Sequence, residues 1–453
     1  MPTTYDVRVW KTEVLTYETA TTYRVVWRVD KKRWRESFRT RALAESFRAE
    51  LVGAARKGEA FNTNTGRPVS VSRAESDISW YRFACDYVDM KWKPAAGKYR
   101  KSIAEALTTI TPALFRSERG KPDDNVLRLA LCGWAFNTKR RTAEDMPADI
   151  ASALRWAERN TLPMSALAEP KVIRAALDTV AQRLDGNPAA PNTVNRKRAV
   201  LANALGYAVE LRLLPANPVD SIRWSAPKPA TAVDRRSVVN PVQARTLLSA
   251  VREQRRSGPS LVAFFALLYY AGLRPEEAVN LRAHNLSLPD AGWGDLHLER
   301  ATPDTGKDWT DSGRQRDERQ LKHRGAGEIR TVPCAPELAA LLQDHLALFG
   351  TDEEGRLFRA ENGGELRTNT YTRIWTRARA AVFIPEAVRS PLARRPYDLR
   401  HAAVSTWLNG GVAPTQVAEW AGHSVEVLLR TYAKCLDGQQ HAARRRIEEA
   451  LGG

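Results

Sequence analysis

The chain has 453 residues, which suggests about three domains at ~150 residues each. Its 43% hydrophobic content is ample for folded cores and excludes a disordered chain. Lys and Arg number 70 against 52 acidic residues, a net charge of +18, which implies a polyanionic partner: nucleic acid first, an acidic membrane surface second.

The chain opens with alternation. "VRVW" at 7–10 reads as a strand. In "TYRVVWRVD", Tyr23, Val25, Trp27 and Val29 share one strand face, with Arg24 and Arg28 on the other. A charged turn at 30–33 leads into "WRESF". A helix follows over "TRALAESFRAELVGAARKG", with Leu43, Phe47 and Leu51 at helical spacing and Gly58 as C-cap. "FNTNTGRP" is a linker. From 75 to 226 the pattern is helical: five apolar-striped segments separated by turn signals, the last before "PANPVD". A second linker, "SAPKPATAVDRRSVVNP", precedes two helices, "VQARTLLSAVREQ" and "SLVAFFALLYYAG". The second is too short to span a bilayer and reads as buried, which weakens the membrane as a partner. Strands at "GDLHLER" and "GEIRTVPC" and several more helices complete the chain. The fold class is multidomain, mainly α with small β-sheets: sheet-plus-helix, all-helical, then mixed α/β. Cys85, Cys132, Cys334 and Cys435 lie far apart and the first residues have no apolar signal core, so a reducing cytoplasm is expected.

Five places in the last domain carry candidate chemistry. Arg274 follows Gly272 at the end of the buried helix, and Glu277, three residues on, could hold it. Lys322 precedes a Gly-containing turn and the strand 327–334; Lys307 is a competitor, and a hairpin lysine is usually solvated. In "RPYDLRHAAVSTWLNGG", Pro396 suits a helix start and Asn409-Gly410-Gly411 its end. Tyr397 and Arg400 then share a face, while His401 is turned away by about 100°. Gly422 ends one helix, Ser424 caps the next, and His423 sits in the joint. Tyr432 lies nine residues further, about 13 Å along a helix, so only tertiary structure can bring it to this histidine.

The order Arg274, Lys322, Tyr397-x-x-Arg400, His423, Tyr432 resembles the tyrosine recombinase (phage integrase) family, whose signature runs Arg, Lys, His-x-x-Arg, His or Trp, Tyr. The words "GLRPEE", "DLRHAAV", "AGHS" and "TYAK" carry it, and "TVNRKRAVLANALGYAVE" before "ANP" is similar to the family's core-binding domain. The resemblance implies an arm-type DNA-binding domain at 1–66, a core-binding domain at 75–226 and a catalytic domain at 236–453. It implies a site-specific recombinase that cuts and rejoins DNA through a 3′-phosphotyrosine at Tyr432. Arg274 and Arg400 would hold the phosphate, Lys322 would protonate the leaving 5′ oxygen, and His423 would donate to a non-bridging oxygen. Tyr397 stands where the family has histidine, and a phenol of pKa ~10 is a poor base. Arg24, Arg28, Arg33 and Arg35 are the expected arm-site contacts. Expected partners are double-stranded DNA at core and arm sites, three further protomers in a tetramer, and accessory DNA-bending or directionality proteins, in a bacterial-type cytoplasm or nucleoid. No carboxylate cluster suits a metal-dependent nuclease, so neither metal nor cofactor is expected. The alternative is an architectural DNA-binding protein of the same fold with impaired catalysis.

Overall fold

The computed structural model describes residues 2–17, 21–71, 77–322, 324–325, 327–435 and 439–451. The chain forms two compact units, 1–90 with 103–226, and 91–102 with 227–453.

In the first unit, strand Thr21–Val29 is the centre of an antiparallel sheet. Lys32–Phe38 runs along one edge, and Val7–Val9 and Glu13–Thr16 share the other. Strand alternation sends Val25, Trp27 and Val29 into a core closed by helix Arg41–Arg56. Each such buried side chain contributes roughly 1.5–3 kcal/mol. The helix is N-capped by Thr40, whose side chain accepts from the Leu43 N–H, and Gly58 follows the C-cap Lys57 with φ 69°. Its packed residues are Ala44, Phe47, Leu51 and Ala54. Leu43, expected on that face, is 57% exposed, because the buried stripe begins one residue later. Cross-strand partners lie on the same face of a sheet. Arg28 pairs with Arg33, Val26 with Arg35 and Arg24 with Ser37, so all four arginines occupy the face opposite the helix. There Arg28 pairs with Asp6, and Arg33 lies over the Trp10 ring.

The expected helices appear at Trp80–Trp92, Gly97–Ile110, Ala148–Asn160, Pro170–Val180 and Pro191–Glu210. In Ala148–Asn160 the buried Ile150, Ala153, Leu154, Trp156 and Ala157 trace the apolar stripe. Proline opens Pro170–Val180 and Pro191–Glu210, where its fixed φ suits the first turn and its missing N–H costs nothing. Between Gly97–Ile110 and Ala148–Asn160 lie helix Asp124–Ala130, a π turn at Leu131–Ala135 and helix Thr138–Arg141, each too short to show a stripe in sequence.

The second unit is built around helix Gly258–Tyr270, buried continuously from Leu261 to Tyr269. Helices Pro241–Arg252, Pro336–Phe349 and Tyr397–Asn409 pack on it. A three-stranded antiparallel sheet lies beside them in the order Arg330–Cys334, Gly294–Leu298, Leu286–Ser287. The first of these strands starts at Arg330, three residues later than expected. A second apolar cluster joins Val404 and Leu408 to Val417, Ala421, Leu428 and Tyr432, and so holds the last helices against Tyr397–Asn409. Among the described residues no helix is long and apolar enough to cross a membrane.

Candidate active site

The centre of the second unit is a buried charge cluster. After Gly258–Tyr270 the chain turns sharply at Gly272, whose φ is 58° and where a Cβ would stand 2.9 Å from the Trp407 ring. Arg274 follows at the N-cap of helix Pro275–Asn280. Its Nη1 donates to Glu277 Oε1 at 2.7 Å, its Nη2 to the Gly422 carbonyl at 2.8 Å, and its backbone N–H to Glu277 Oε2 at 2.8 Å. Glu277 also receives both terminal nitrogens of Arg330, at 3.0 and 2.7 Å. Glu277 and Arg330 are each 1% exposed. Burial opposes ionisation of Glu277, but Arg330 and Arg274 outweigh it and hold the carboxyl well below the usual carboxylate range.

Arg400 comes from helix Tyr397–Asn409 and is fully buried, with no carboxylate hydrogen-bonded to it among the described residues. Its donors go to the carbonyls of Gly272 and Ala421 and, at 3.0 Å, to His423 Nε2. Burial, then the nearby Arg274, lower its pKa without bringing an arginine near neutrality. Helix Pro414–Ala421 presents the Ala421 carbonyl to Arg400 and the Gly422 carbonyl to Arg274 because it ends in a left-handed residue, Gly422, with φ 62° and ψ 48°. A Cβ on Gly422 would also run into the Arg330 guanidinium, so position 422 requires glycine twice over.

His423 sits in the joint, and Ser424 caps Val425–Tyr432 by accepting from the Val427 N–H at 3.2 Å. Arginine only donates, so His423 Nε2 is an acceptor and Nδ1 carries the proton. Among the described residues that Nδ1 is buried without a hydrogen-bond partner, as are Arg400 Nε and Arg330 Nε. Burial first, and then Arg400, Arg274 and Arg330, push the His423 pKa down to about 3, so it is neutral at physiological pH.

Tyr432 does not stand apart from His423 as the helical rise alone implies. The two ring centroids are 6.2 Å apart. Tyr432 is 1% exposed, and its hydroxyl lies 2.9 Å from His401 Nδ1. Burial raises the phenol pKa above its ordinary value, with Arg400 opposing. His401 is turned from Arg400 by one helical step, as expected, and that turn carries it toward Tyr432 and not out of the site. It follows Tyr397 by four residues, one turn along the same face, and their rings meet edge to face at 5.1 Å. Counting the rotation from Arg400 alone had hidden this. Burial, which outweighs the raising effect of Asp398, lowers the His401 pKa to about 4.

The structure thus brings Arg274, Glu277, Arg400 and His423 into one hydrogen-bonded cluster, joins Tyr432 to it by ring packing, and sets Tyr397 beside His401. Lys322 is exposed and makes none of the hydrogen bonds that join the others. Arg24, Arg28, Arg33 and Arg35 belong to the first unit. Sequence reasoning missed Arg330 and His401. Arg330 had one signal: it is in register with Val332 and Cys334, so it lies on the inward face of its strand. Within the cluster three guanidiniums face one carboxylate, an excess of about two positive charges buried beside a phenol. Such a centre is suited to an anion with oxygens to share among fixed donors.

Residues 237–438 match the family model described as the Phage integrase family. The chain is similar to the tyrosine recombinase XerC of Nitrobacter winogradskyi, 24% identical over 299 residues, covering 63% of this chain and 80% of that protein. It is similar to the tyrosine recombinase XerC of Brucella suis, 26% identical over 250 residues, covering 54% and 67%. Among solved structures, the Tn1549 transposon integrase in complex with transposon right end DNA superposes with a TM-score of 0.48 at 15% identity, covering 72% of this chain and 99% of that one. A lambda integrase tetramer bound to a Holliday junction superposes with a TM-score of 0.47 at 13% identity, covering 92% and 94%.

Proposed function

We infer the reaction from a premise the match over 237–438 supplies: the chain belongs to the phage integrase family and is a site-specific DNA recombinase of the tyrosine type. The observation that carries the mechanism is the buried guanidinium cluster beside the Tyr432 hydroxyl. A phosphodiester entering there meets Arg274 and Arg400 on its non-bridging oxygens, with the His423 Nδ1–H as a further donor. These groups are fixed before the reaction by Glu277 and by the carbonyls of Gly272, Ala421 and Gly422, so charge building up in the transition state meets donors already in place. Tyr432 Oη attacks phosphorus, the bond to the 5′ oxygen breaks, and Lys322 protonates that oxygen. The phosphoester link is kept as a 3′-phosphotyrosine, so a 5′ hydroxyl from another duplex can rejoin the strand without ATP.

On this reading the segment 1–66 binds arm-type sites through Arg24, Arg28, Arg33 and Arg35. Residues 75–226 form the core-binding domain and 236–453 the catalytic domain. Four protomers assemble on paired core sites of a mobile element that is integrated or excised, with accessory DNA-bending or directionality proteins, in the cytoplasm or nucleoid. The shared basic face of the four arginines supports the arm-site assignment.

The test uses a pool of duplexes with a randomised core, each nicked so that the cleaved 5′-hydroxyl fragment diffuses away. The protein should become covalently attached to a subset of sequences, and Tyr432→Phe should bind the recovered duplex without attaching. DNA binding with no adduct from the parent would favour an architectural protein instead.

A further inference from the structure

Attack by Tyr432 requires its proton to go somewhere, and Tyr397 stands where a histidine would accept it. A phenol is a poor acceptor at neutral pH. His423 is closed to the task too, because its Nε2 lone pair is already engaged by Arg400 and its Nδ1 carries the proton. One ring nitrogen does face the nucleophile: His401 Nδ1 lies 2.9 Å from Tyr432 Oη, and in the tautomer protonated at Nε2 it accepts from that hydroxyl. Three rings form a continuous contact, Tyr397 on His401 at 5.1 Å and His401 on Tyr432 at 5.7 Å. They fix the imidazole from both sides.

We propose that His401 is the catalytic base for Tyr432, accepting its proton as the phosphotyrosine forms. This role rests on the recombinase reading above. As the bond from Tyr432 Oη to phosphorus forms and the bond to the 5′ oxygen breaks, the phenolic proton passes to His401 Nδ1 and a proton from Lys322 passes to the 5′ oxygen. Religation runs the same transfers backwards. Tyr397 becomes a positioning residue whose ring holds His401. The groups facing His401 are Tyr397, Asp398 and Arg400 of its own helix, Arg395 just before it, and Tyr432 opposite. Its depressed basicity keeps it neutral, and so able to accept, across the physiological range.

The test uses the full chain and the nicked duplex recovered from the randomised pool. His401→Ala should slow adduct formation by about a hundred- to ten-thousandfold, the usual worth of a positioned base, and added imidazole should restore part of it. His401→Asn can still accept the hydroxyl's hydrogen bond but cannot hold a proton, so it should be slow too. The parental rate should be flat across neutral pH. The His401→Ala rate should climb about tenfold per pH unit, since the phenol must then ionise by itself. DNA affinity should not change. Without DNA, nitrogen-15 NMR should find His401 Nδ1 unprotonated, with its signal moving in Tyr432→Phe. Parental rates and a parental pH profile in both histidine variants, or a proton on Nδ1, would overturn the role while leaving the recombinase reading intact. A parent that forms no adduct overturns both.

Discussion

Glu277→Gln removes the single negative charge from the buried arginine cluster and keeps the shape of the side chain. The two carboxylate oxygens accept four hydrogen bonds: from Arg274 Nη1 and Arg330 Nη1 on Oε1, and from the Arg274 backbone N–H and Arg330 Nη2 on Oε2. A glutamine offers one oxygen, and its NH2 points at donors, so two of the four are lost outright. Removing one member of a buried ion pair costs roughly 3–5 kcal/mol, because the partner charge is left uncompensated. Exposures of 1% for Glu277 and Arg330 leave little solvent to screen that loss. The pH dependence has a definite sign. Glu277 is held below its unfolded value, so its contribution is complete above the unfolded pKa of ~4.3 and fades only as pH falls below that. The gap between parent and variant in urea unfolding of the full chain should therefore be constant across neutral pH and shrink in acid. Adduct formation should fall by about a hundred- to a thousandfold as Arg274 loses its orientation, comparable to removing one oxyanion donor. A variant that unfolds at the parental midpoint and cleaves at the parental rate would refute the view that Glu277 neutralises and aims the guanidiniums.

Lys322→Ala should slow cleavage of ordinary DNA and recover on a duplex with sulfur at the bridging 5′ position, since a thiolate leaves without a proton; failure to recover would move the role to Lys307. Tyr397→Phe keeps the ring against His401 and should form the adduct near the parental rate, whereas Tyr397→Ala removes that ring and should slow adduct formation by ten- to a hundredfold, about 1.4–2.7 kcal/mol at ~1.36 kcal/mol per decade, with DNA affinity unchanged; a large loss in the Phe variant would give the hydroxyl a task of its own and refute a role through the ring alone. Deleting residues 1–66 should spare adduct formation at core sites and abolish binding to a second, distinct sequence, and each phosphate contact removed from Arg24, Arg28, Arg33 or Arg35 should lower the salt slope by ~0.9. A truncated chain that binds every segment as the whole does would sink the arm-site assignment.

What was legible in the sequence is what local periodicity and order encode. The buried helix 258–270, the strands at 294 and 330, the Gly422 stop and the Ser424 cap all follow from neighbouring residues. Arg274, Arg400, His423 and Tyr432 were read from chain order and the words around them. The approach of Tyr432 to His401 was not readable, because it depends on an apolar cluster joining Val404 and Leu408 to Leu428, residues far apart in the chain. Arg330 belongs to none of the motifs that singled out the other residues. Only burial of its strand face converts it into a partner for Glu277. Leu43 shows the opposite error: an apolar residue at good helical spacing that the packing leaves in solvent.

The neighbours Arg400 and His401 explain how one helix can serve two partners. Successive residues on a helix point about 100° apart. Arg400 therefore faces the carbonyls of Gly272 and Ala421, where the phosphate charge would be held, while His401 faces the phenol of Tyr432. The first task needs a group that never titrates, and the second needs one that can gain and lose a proton; arginine and histidine divide along that line. Because both ride on Tyr397–Asn409, the distance between phosphate clamp and proton acceptor is set by the helix itself. The histidine missing at 397 is then no gap in the chemistry. Moving the acceptor from 397 to 401 shifts it by one turn along the same face, toward the side from which Tyr432 arrives.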